Sequence, residues 1–111
     1  MNIVHDPKKG EFVVELGSYR AVLLYAKKGK LLDFYHIYVP DPFRSRGLAA
    51  KILIAAFEHA REAGRQVVPS CPFIKNDFLP RFSKYQELVK PGAFPFAPET
   101  RRQLKGSRPA A

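Results

Sequence analysis

The stretch VPDPFRSRGLAAKIL, residues 39–53, decides the fold because two kinds of local structure meet in it. It follows a run of aromatic and β-branched residues that is typical of a strand, and Pro40 and Pro42 end that run. From Gly47 onward, apolar residues recur every three or four positions, which predicts a helix. Arg44 and Arg46 lie in the turn between strand and helix, either as solvated side chains or as part of an anion site.

The composition is that of one small globular domain with an excess of positive charge. The 111 residues include 19 Lys and Arg but only 10 Asp and Glu, a formal net charge of +9. The proline-containing basic segment over residues 91–111 predicts a disordered tail. Most of the charge excess belongs to the body of the chain, where nucleic acid, a phosphorylated cofactor and plain solubility are all open explanations.

Cysteine content and apolar runs indicate the compartment. The single cysteine, Cys71, cannot form an internal disulfide, which favours a reducing environment. No run of about 18 apolar residues is present, so no membrane span is predicted. Residues 1–10 lack the apolar stretch of a secretory signal peptide. We therefore expect a cytoplasmic protein without a membrane partner.

Three strands are predicted before the opening stretch, and one after it. They cover residues 11–16, 19–28, 31–39 and, as the short run RQVVP, 65–69. Gly17 and Ser18 fit a two-residue hairpin turn. The third strand is apolar on both faces, so we expect packed layers on both sides of the sheet.

Two helices complete the element order β-β-β-α-β-α. The first runs from Gly47 to a C-cap at Gly64, and the second begins near Pro72 and ends or kinks at Pro80. The fold class is therefore α/β (α+β), a mixed sheet with antiparallel N-terminal strands and one β-α-β crossover. One domain is predicted over residues 11–90, preceded by an arm over residues 1–10.

The β-α-β crossover places the arginine-containing turn between the end of a strand and the start of a helix. Ligands of such units bind beyond the carboxyl ends of the strands, near the start of the following helix. A helix start leaves backbone N–H groups unpaired and carries a partial positive charge, which suits phosphate. Gly47 permits close backbone approach, and Arg44 and Arg46 add donors. From spacing alone, an anion site and a glycine-bearing turn with solvated arginines remain equal alternatives.

The segment RSRGLA resembles the R/Q-x-x-G-x-G/A signature of the Gcn5-related N-acetyltransferases. Arg44, Gly47 and Ala49 occupy its three fixed places. The wider run from residue 31, followed by PSCPF around Cys71, is similar to the small single-domain branch called YjdJ-type or NATD1-like. The resemblance covers residues 12–89.

The resemblance implies acetyl-coenzyme A (acetyl-CoA) as the cofactor and a primary amine as the acetyl acceptor. The pyrophosphate of coenzyme A would lie on the turn that leads into the helix, and its pantetheine arm beside the third strand. The thioester would lie where the third strand and the RQVVP strand separate. The implied cofactor-binding residues are Tyr38, Val39, Arg44, Ser45, Arg46, Gly47, Leu48 and Ala49.

The chain departs from the family pattern at three places, one of which is Ile37, which follows His36 where threonine is common. Ser45 stands where many members carry glycine, so the turn is either stiffer or gains a hydroxyl for phosphate. Phe82, Ser83 and Lys84 replace a His-Pro-Glu run before the tyrosine, with one residue more after Cys71. A role for the family's histidine at that place therefore cannot be transferred.

Cys71 and His36 are the candidate catalytic residues. Cys71 is either a small buried hydrophobe or, at a strand end and helix start, a thiol that takes or contacts the acetyl group. His36 is either a satisfied strand residue or the base that an attacking amine needs. His5 and His59 are expected in solvent. The spacing of these residues predicts no metal site.

Three functions compete. The first is an acetyl-CoA-dependent N-acetyltransferase that acts on a protein lysine or a small amine. The second is an acyl-CoA-binding or regulatory module with little turnover. The third is a basic nucleic-acid-binding protein, which the absence of a recognisable nucleic-acid motif disfavours. The oligomeric state is left open.

Overall fold

The computed structural model describes residues 2–92, so the predicted tail from residue 93 onward lies outside the described residues. The sheet strands are β1 (Val4–Asp6), β2 (Glu11–Leu16), β3 (Tyr19–Lys28), β4 (Leu31–Tyr38) and β5 (Gln66–Val68). Helix α1 spans Leu48–Ala63. Helical turns then cover Ile74–Phe78, Leu79–Arg81 (α2) and Ser83–Leu88. Among the described helices, none has the length and apolarity to cross a bilayer.

The five strands form one sheet in the order β1-β2-β3-β4-β5. Neighbours from β1 to β4 pair antiparallel, and β4 pairs parallel with β5. The predicted antiparallel strands and the β-α-β crossover are therefore confirmed. The sequence prediction missed β1, whose three residues stand next to a polar run and are too few to show an alternating pattern.

Helix α1 follows the predicted periodicity. Gly47 and Gly64, both in the left-handed region, bound it at the two ends. Its apolar stripe packs under the sheet, where Phe12, Leu23 and Phe34 are buried against it. The buried helix residues are Leu48, Ile52, Leu53, Ala56, Phe57 and Ala60.

The expectation that β4 is covered on both faces was wrong. Leu32 and Phe34 are fully buried on the face that packs against α1, which we call the inner face. Asp33, His36 and Tyr38 pair across the sheet with Ala26, Leu24 and Val22, on the opposite or outer face. His36 and Tyr38 are exposed there. The aromatic residues of β4 led to the wrong prediction, because tyrosine has a high strand propensity even where it faces water.

The second predicted helix is present over residues 72–81 but contains a π-helical turn at Ile74–Phe78. The N–H of Leu79 donates to the carbonyl of Ile74, five residues earlier. Pro80 has no N–H, and its ring would collide with the carbonyl four residues before it in a regular helix. The wider turn relieves that collision.

The two histidines expected in solvent instead meet under the sheet. The ring centroids of His5 and His59 are 4.4 Å apart, and the His5 ring stacks on Phe12 at 4.2 Å. His5 Nε2 also pairs with the Tyr25 hydroxyl. The prediction failed because β1 was missed: pairing of β1 with β2 places His5 opposite Phe12.

Candidate functional site

The N-terminal end of α1 leaves its backbone donors free. Gly47 is the N-cap residue, with φ of 74°, and no side chain caps the helix. The first N–H with a helix partner belongs to Lys51, which donates to the Gly47 carbonyl at 3.1 Å. The N–H groups of Leu48, Ala49 and Ala50 therefore point out of the helix start without an internal acceptor. The first turn contains no acidic residue, so no carboxylate of the helix itself opposes an anion there.

A cavity of about 590 Å³ opens at this helix end. Helix α1, the preceding turn, the end of β4 and the segment after β5 all contribute to its walls. It is therefore bounded by the polar helix start on one side and by apolar side chains on the other. The lining residues are Ile37, Val39, Phe43, Arg44, Ser45, Gly47, Leu48, Ala49, Ala50, Phe73 and Arg81.

The cavity lies where β4 and β5 separate. Their parallel register ends with the pair Asp33 and Val68. One further contact bridges the gap, in which the N–H of Cys71 donates to the Phe34 carbonyl at 3.1 Å. Tyr35 has no partner on β3 because the register shifts there, which indicates a β-bulge. Beyond that point, β4 has lost β5 as its neighbour, and Ile37 and Val39 line the cavity instead.

Three arginines lie at or near the cavity, and they differ in what holds them. Arg44 Nε donates to the Val39 carbonyl at 2.8 Å, and its Nη1 lies 2.9 Å from an Asp41 oxygen. Arg44 therefore fixes the turn against the end of β4 and also lines the cavity. The Arg46 guanidinium lies 5.9 Å from the Phe43 ring centroid and does not line the cavity.

The third arginine, Arg81, was not predicted. It reaches the cavity from α2 and forms an ion pair with Asp77 at 2.8 Å. Phe73 lines the same wall. No local motif marked either residue, because their approach to the cavity depends on the π-helical turn between them. The periodicity of this segment indicated only a helix.

Ser45 has a φ of 67°, the only positive φ outside glycine in residues 2–92. An L-residue in this left-handed region costs roughly 1–2 kcal/mol relative to its ordinary conformations. The turn thus requires the conformation that glycine adopts freely, which accounts for the glycine usual in the family. Ser45 lines the cavity.

The structure brings six of the predicted cofactor residues together around the cavity: Val39, Arg44, Ser45, Gly47, Leu48 and Ala49. Tyr38 lies on the outer face and is 45% exposed, so only its backbone is near the gap. Cys71 is 7% exposed and belongs to the core cluster. His36 lies on the outer face. The two candidate catalytic residues therefore lie in different places, Cys71 in the core and His36 on the outer face of the sheet.

Comparison with known proteins shows which family this chain resembles. The sequence profile of the GCN5-related N-acetyl-transferases matches residues 11–88. The protein NATD1 of Gallus gallus is 33% identical over 92 residues, which cover 77% of this chain and 84% of that protein. NATD1 of Bos taurus is 34% identical over 89 residues, covering 74% and 79%.

A solved structure agrees with the sequence relatives. The solution structure of a GCN5-like protein from Staphylococcus aureus matches with a TM-score of 0.65 at 25% sequence identity. The match covers 80% of this chain and 87% of that protein. The predicted resemblance is confirmed, and this family transfers acetyl groups. The chain belongs to the GCN5-related N-acetyltransferase family.

Proposed function

We propose that this protein transfers acetyl from acetyl-CoA to a primary amine. The observation that carries the proposal is the uncapped start of α1, which faces a cavity between the separated ends of β4 and β5. Free N–H groups and a helix dipole suit a pyrophosphate. When bound, the cofactor supplies a thioester whose acetyl group an amine can accept.

The cavity walls fit the two parts of coenzyme A. The N–H groups of Leu48, Ala49 and Ala50, with the Arg44 guanidinium, would hold the pyrophosphate. No atom lies within 4 Å of the place where a Cβ on Gly47 would project, so the turn leaves room beside the helix start. Val39 borders the adjoining gap, where the unpaired edge of β4 would accept the amide-bearing arm.

Arg81 gives the cavity a second cationic side chain, contributed by α2. Its ion pair with Asp77 is exposed, so a phosphate group could compete for the guanidinium without a large desolvation cost. We assign Arg81 to the binding of an outer phosphate of the cofactor, and Arg46 to the packing of the turn on Phe43.

Direct attack by the amine fits the positions of His36 and Cys71 better than a covalent acetyl-cysteine does. In direct attack the amine nitrogen bonds to the acetyl carbon, the thioester C–S bond breaks, and the amine gives up a proton. His36, exposed on the outer face beside the bulge, is the proposed acceptor of that proton. Cys71 is buried among core residues at the base of the gap, and we assign it to lining the site.

Calorimetry with coenzyme A and a turnover assay with thiol-release detection test the proposal together. We expect coenzyme A to bind the wild type and His36→Gln equally, while His36→Gln lowers turnover by about 100-fold, the usual share of a general base. Cys71→Ala should retain turnover to within a few fold.

Failure of coenzyme A to bind would overturn the proposal altogether. Binding without transfer to any primary amine would indicate an acyl-CoA-binding module instead. An acetyl adduct on Cys71 in intact-mass analysis, with loss of turnover in Cys71→Ala, would replace direct attack by the covalent route.

A further inference from the structure

Asp33 occupies the last paired position of β4 before the gap opens. It is in register with Val68 of β5 and Ala26 of β3, so it lies in the sheet interior and on the outer face. His36 and Tyr38 follow it on that face. The outer face at the gap is where an acetyl acceptor can approach without passing through the cavity proposed for the cofactor.

The carboxylate of Asp33 is left without hydrogen bonds by the rest of residues 2–92. Its Oδ1 is buried and unpartnered, the only such side-chain atom in that part of the chain. Its Oδ2 lies 3.8 Å from Lys28 Nζ, which is too long for a hydrogen bond. A buried polar atom without a partner is costly, so its retention calls for an explanation.

Glu11, the buried acid of the sheet, has a hydrogen-bond partner, unlike Asp33. Glu11 lies on the same outer face, and its Oε2 accepts a hydrogen bond from Arg20 at 2.7 Å. The cation near Asp33, by contrast, is a lysine whose side chain is 68% exposed. A mobile surface ammonium can be displaced by another ammonium at little cost. Asp33 therefore presents a negative charge that an incoming cation can neutralise.

We propose that Asp33 binds a second ammonium group of the acceptor, so that the preferred substrate is a small aliphatic diamine or polyamine. The inference rests on the proposed acetyltransferase function and names its substrate class. Only 19% of the Asp33 side chain is exposed, which suits a slender alkylammonium rather than a broad peptide surface.

The spacing along β4 supports a diamine. Asp33 and His36 are three residues apart, about 10 Å along a strand before the bulge shortens the path. One ammonium on Asp33 would hold the chain along the outer face, with the neutral amine near His36.

Calorimetric titration of putrescine and butylamine into the full-length protein saturated with coenzyme A tests this inference. The two amines share the four-carbon chain and differ by one ammonium. We expect wild type to bind putrescine about tenfold more tightly than butylamine, and Asp33→Asn to bind both equally. This readout does not require turnover. The ratio of kcat/KM for the two amines should change in the same way.

Two variants on the outer face serve as controls. Glu15→Gln removes the same charge from β2, where the carboxylate is 71% exposed and paired with Arg20, and it should leave the tenfold preference intact. Lys28→Gln removes the competing ammonium and should strengthen putrescine binding. Asp33→Asn should keep the wild-type affinity for coenzyme A, and its thermal midpoint should be no lower than that of wild type.

The outcomes separate the two proposals. Equal binding of putrescine and butylamine by wild type overturns the role of Asp33, while coenzyme A binding and acetyl transfer would still support the enzyme. If Glu15→Gln also loses the preference for putrescine, then general surface charge causes that preference, and the assignment of Asp33 is overturned. A failure to bind coenzyme A counts against the enzyme alone, because the amine titration can be repeated without it.

Discussion

The two ends of α1 are built in opposite ways. At the N-terminal end the helix has no side-chain cap, and the turn before it holds a strained serine. At the C-terminal end the N–H groups of Gly64 and Arg65 donate to the carbonyls of Arg61 and Ala60, at 3.2 and 2.9 Å. One end keeps its backbone groups available, and the other satisfies them within the chain.

Side chains repeat this contrast. Beside the C-terminal part of α1, the Tyr85 hydroxyl donates to Glu58 at 2.7 Å, and Arg61 contacts Glu87 at 2.7 Å. Burial and the Glu58 hydrogen bond raise the pKa of Tyr85 to about 12. The N-terminal end has arginines and a cavity. Substitutions of cavity-lining residues at the N-terminal end should therefore change ligand affinity, whereas substitutions at the C-terminal end should change stability alone.

The largest expected effect comes from placing an acid in the first turn. Ala49→Glu puts a carboxylate where the pyrophosphate is proposed to bind, and like charges in contact cost several kcal/mol. We expect coenzyme A affinity to fall by about 100-fold or more in calorimetry. Folding stability should hold or rise slightly, because an acid at a helix start is favourable.

Lys51→Ala is the matched control for this variant. It changes the charge by the same amount in the same turn, but Lys51 does not line the cavity. Its affinity for coenzyme A should stay within about threefold of wild type, the effect of one screened charge. Equal losses in the two variants would mean that net charge, rather than the helix start, attracts the cofactor.

The N-terminal end of α1 was predictable because its signals are local. Gly47 and the arginines stand within one short turn, and the change in apolar periodicity marks the helix start. Glycine at a helix start and proline after a strand carry the same conformational meaning in most folds. Strands β2, β3 and β4 were found for the same reason, since each is a run of six or more mostly apolar residues bounded by glycine- or proline-containing turns.

The features that were missed depend on pairing between distant segments. The unpartnered oxygen of Asp33 follows from its place between β3 and β5, which no local sequence pattern shows. Arg81 reaches the cavity through a π-helical turn that periodicity does not reveal. His5 and His59 are far apart in sequence, and only the register of β1 brings them together.

The second prediction compares two residues with the same backbone geometry. Ser45 has φ of 67° and Gly64 has φ of 68°. Ser45→Gly should relieve strain and raise the free energy of unfolding by up to about 1 kcal/mol, after the entropy of the freer unfolded chain is deducted. Gly64→Ala should lower it by about 1 kcal/mol through strain alone, since no atom lies within 4 Å of the added Cβ.

Urea unfolding measures both changes, and calorimetry checks the ligand. Gly64→Ala should leave coenzyme A affinity unchanged, because Gly64 lies at the far end of the helix from the cavity. If Ser45→Gly fails to stabilise, then the turn holds serine without strain. If it weakens coenzyme A binding by about tenfold, the hydroxyl donates to the phosphate.

The smallest expected effect is a loss of folding stability at acidic pH. We expect it to arise from His5 and His59, which meet beside the C-terminal part of α1. Burial and the neighbouring His59 lower the pKa of His5 from its usual 6.5, while Asp6 on β1 opposes the shift. The Tyr25 hydroxyl on β3 and the Phe12 ring are the other groups in contact with the His5 ring. A protonated His5 would place two imidazoles at short range without a carboxylate between them.

The sign of the effect follows from linkage. Because the folded pKa of His5 is depressed, its stabilising contribution is complete above pH 6.5 and is lost as the pH falls below that value. Urea midpoints measured from about pH 7.5 down to 5 should therefore decline for wild type and flatten for His5→Phe, which keeps the ring stack but cannot titrate. Amide exchange of β1 should quicken over the same interval, while amides at the start of β4 keep their protection. An equally steep decline in His5→Phe would assign the acid sensitivity to the carboxylate ion pairs instead.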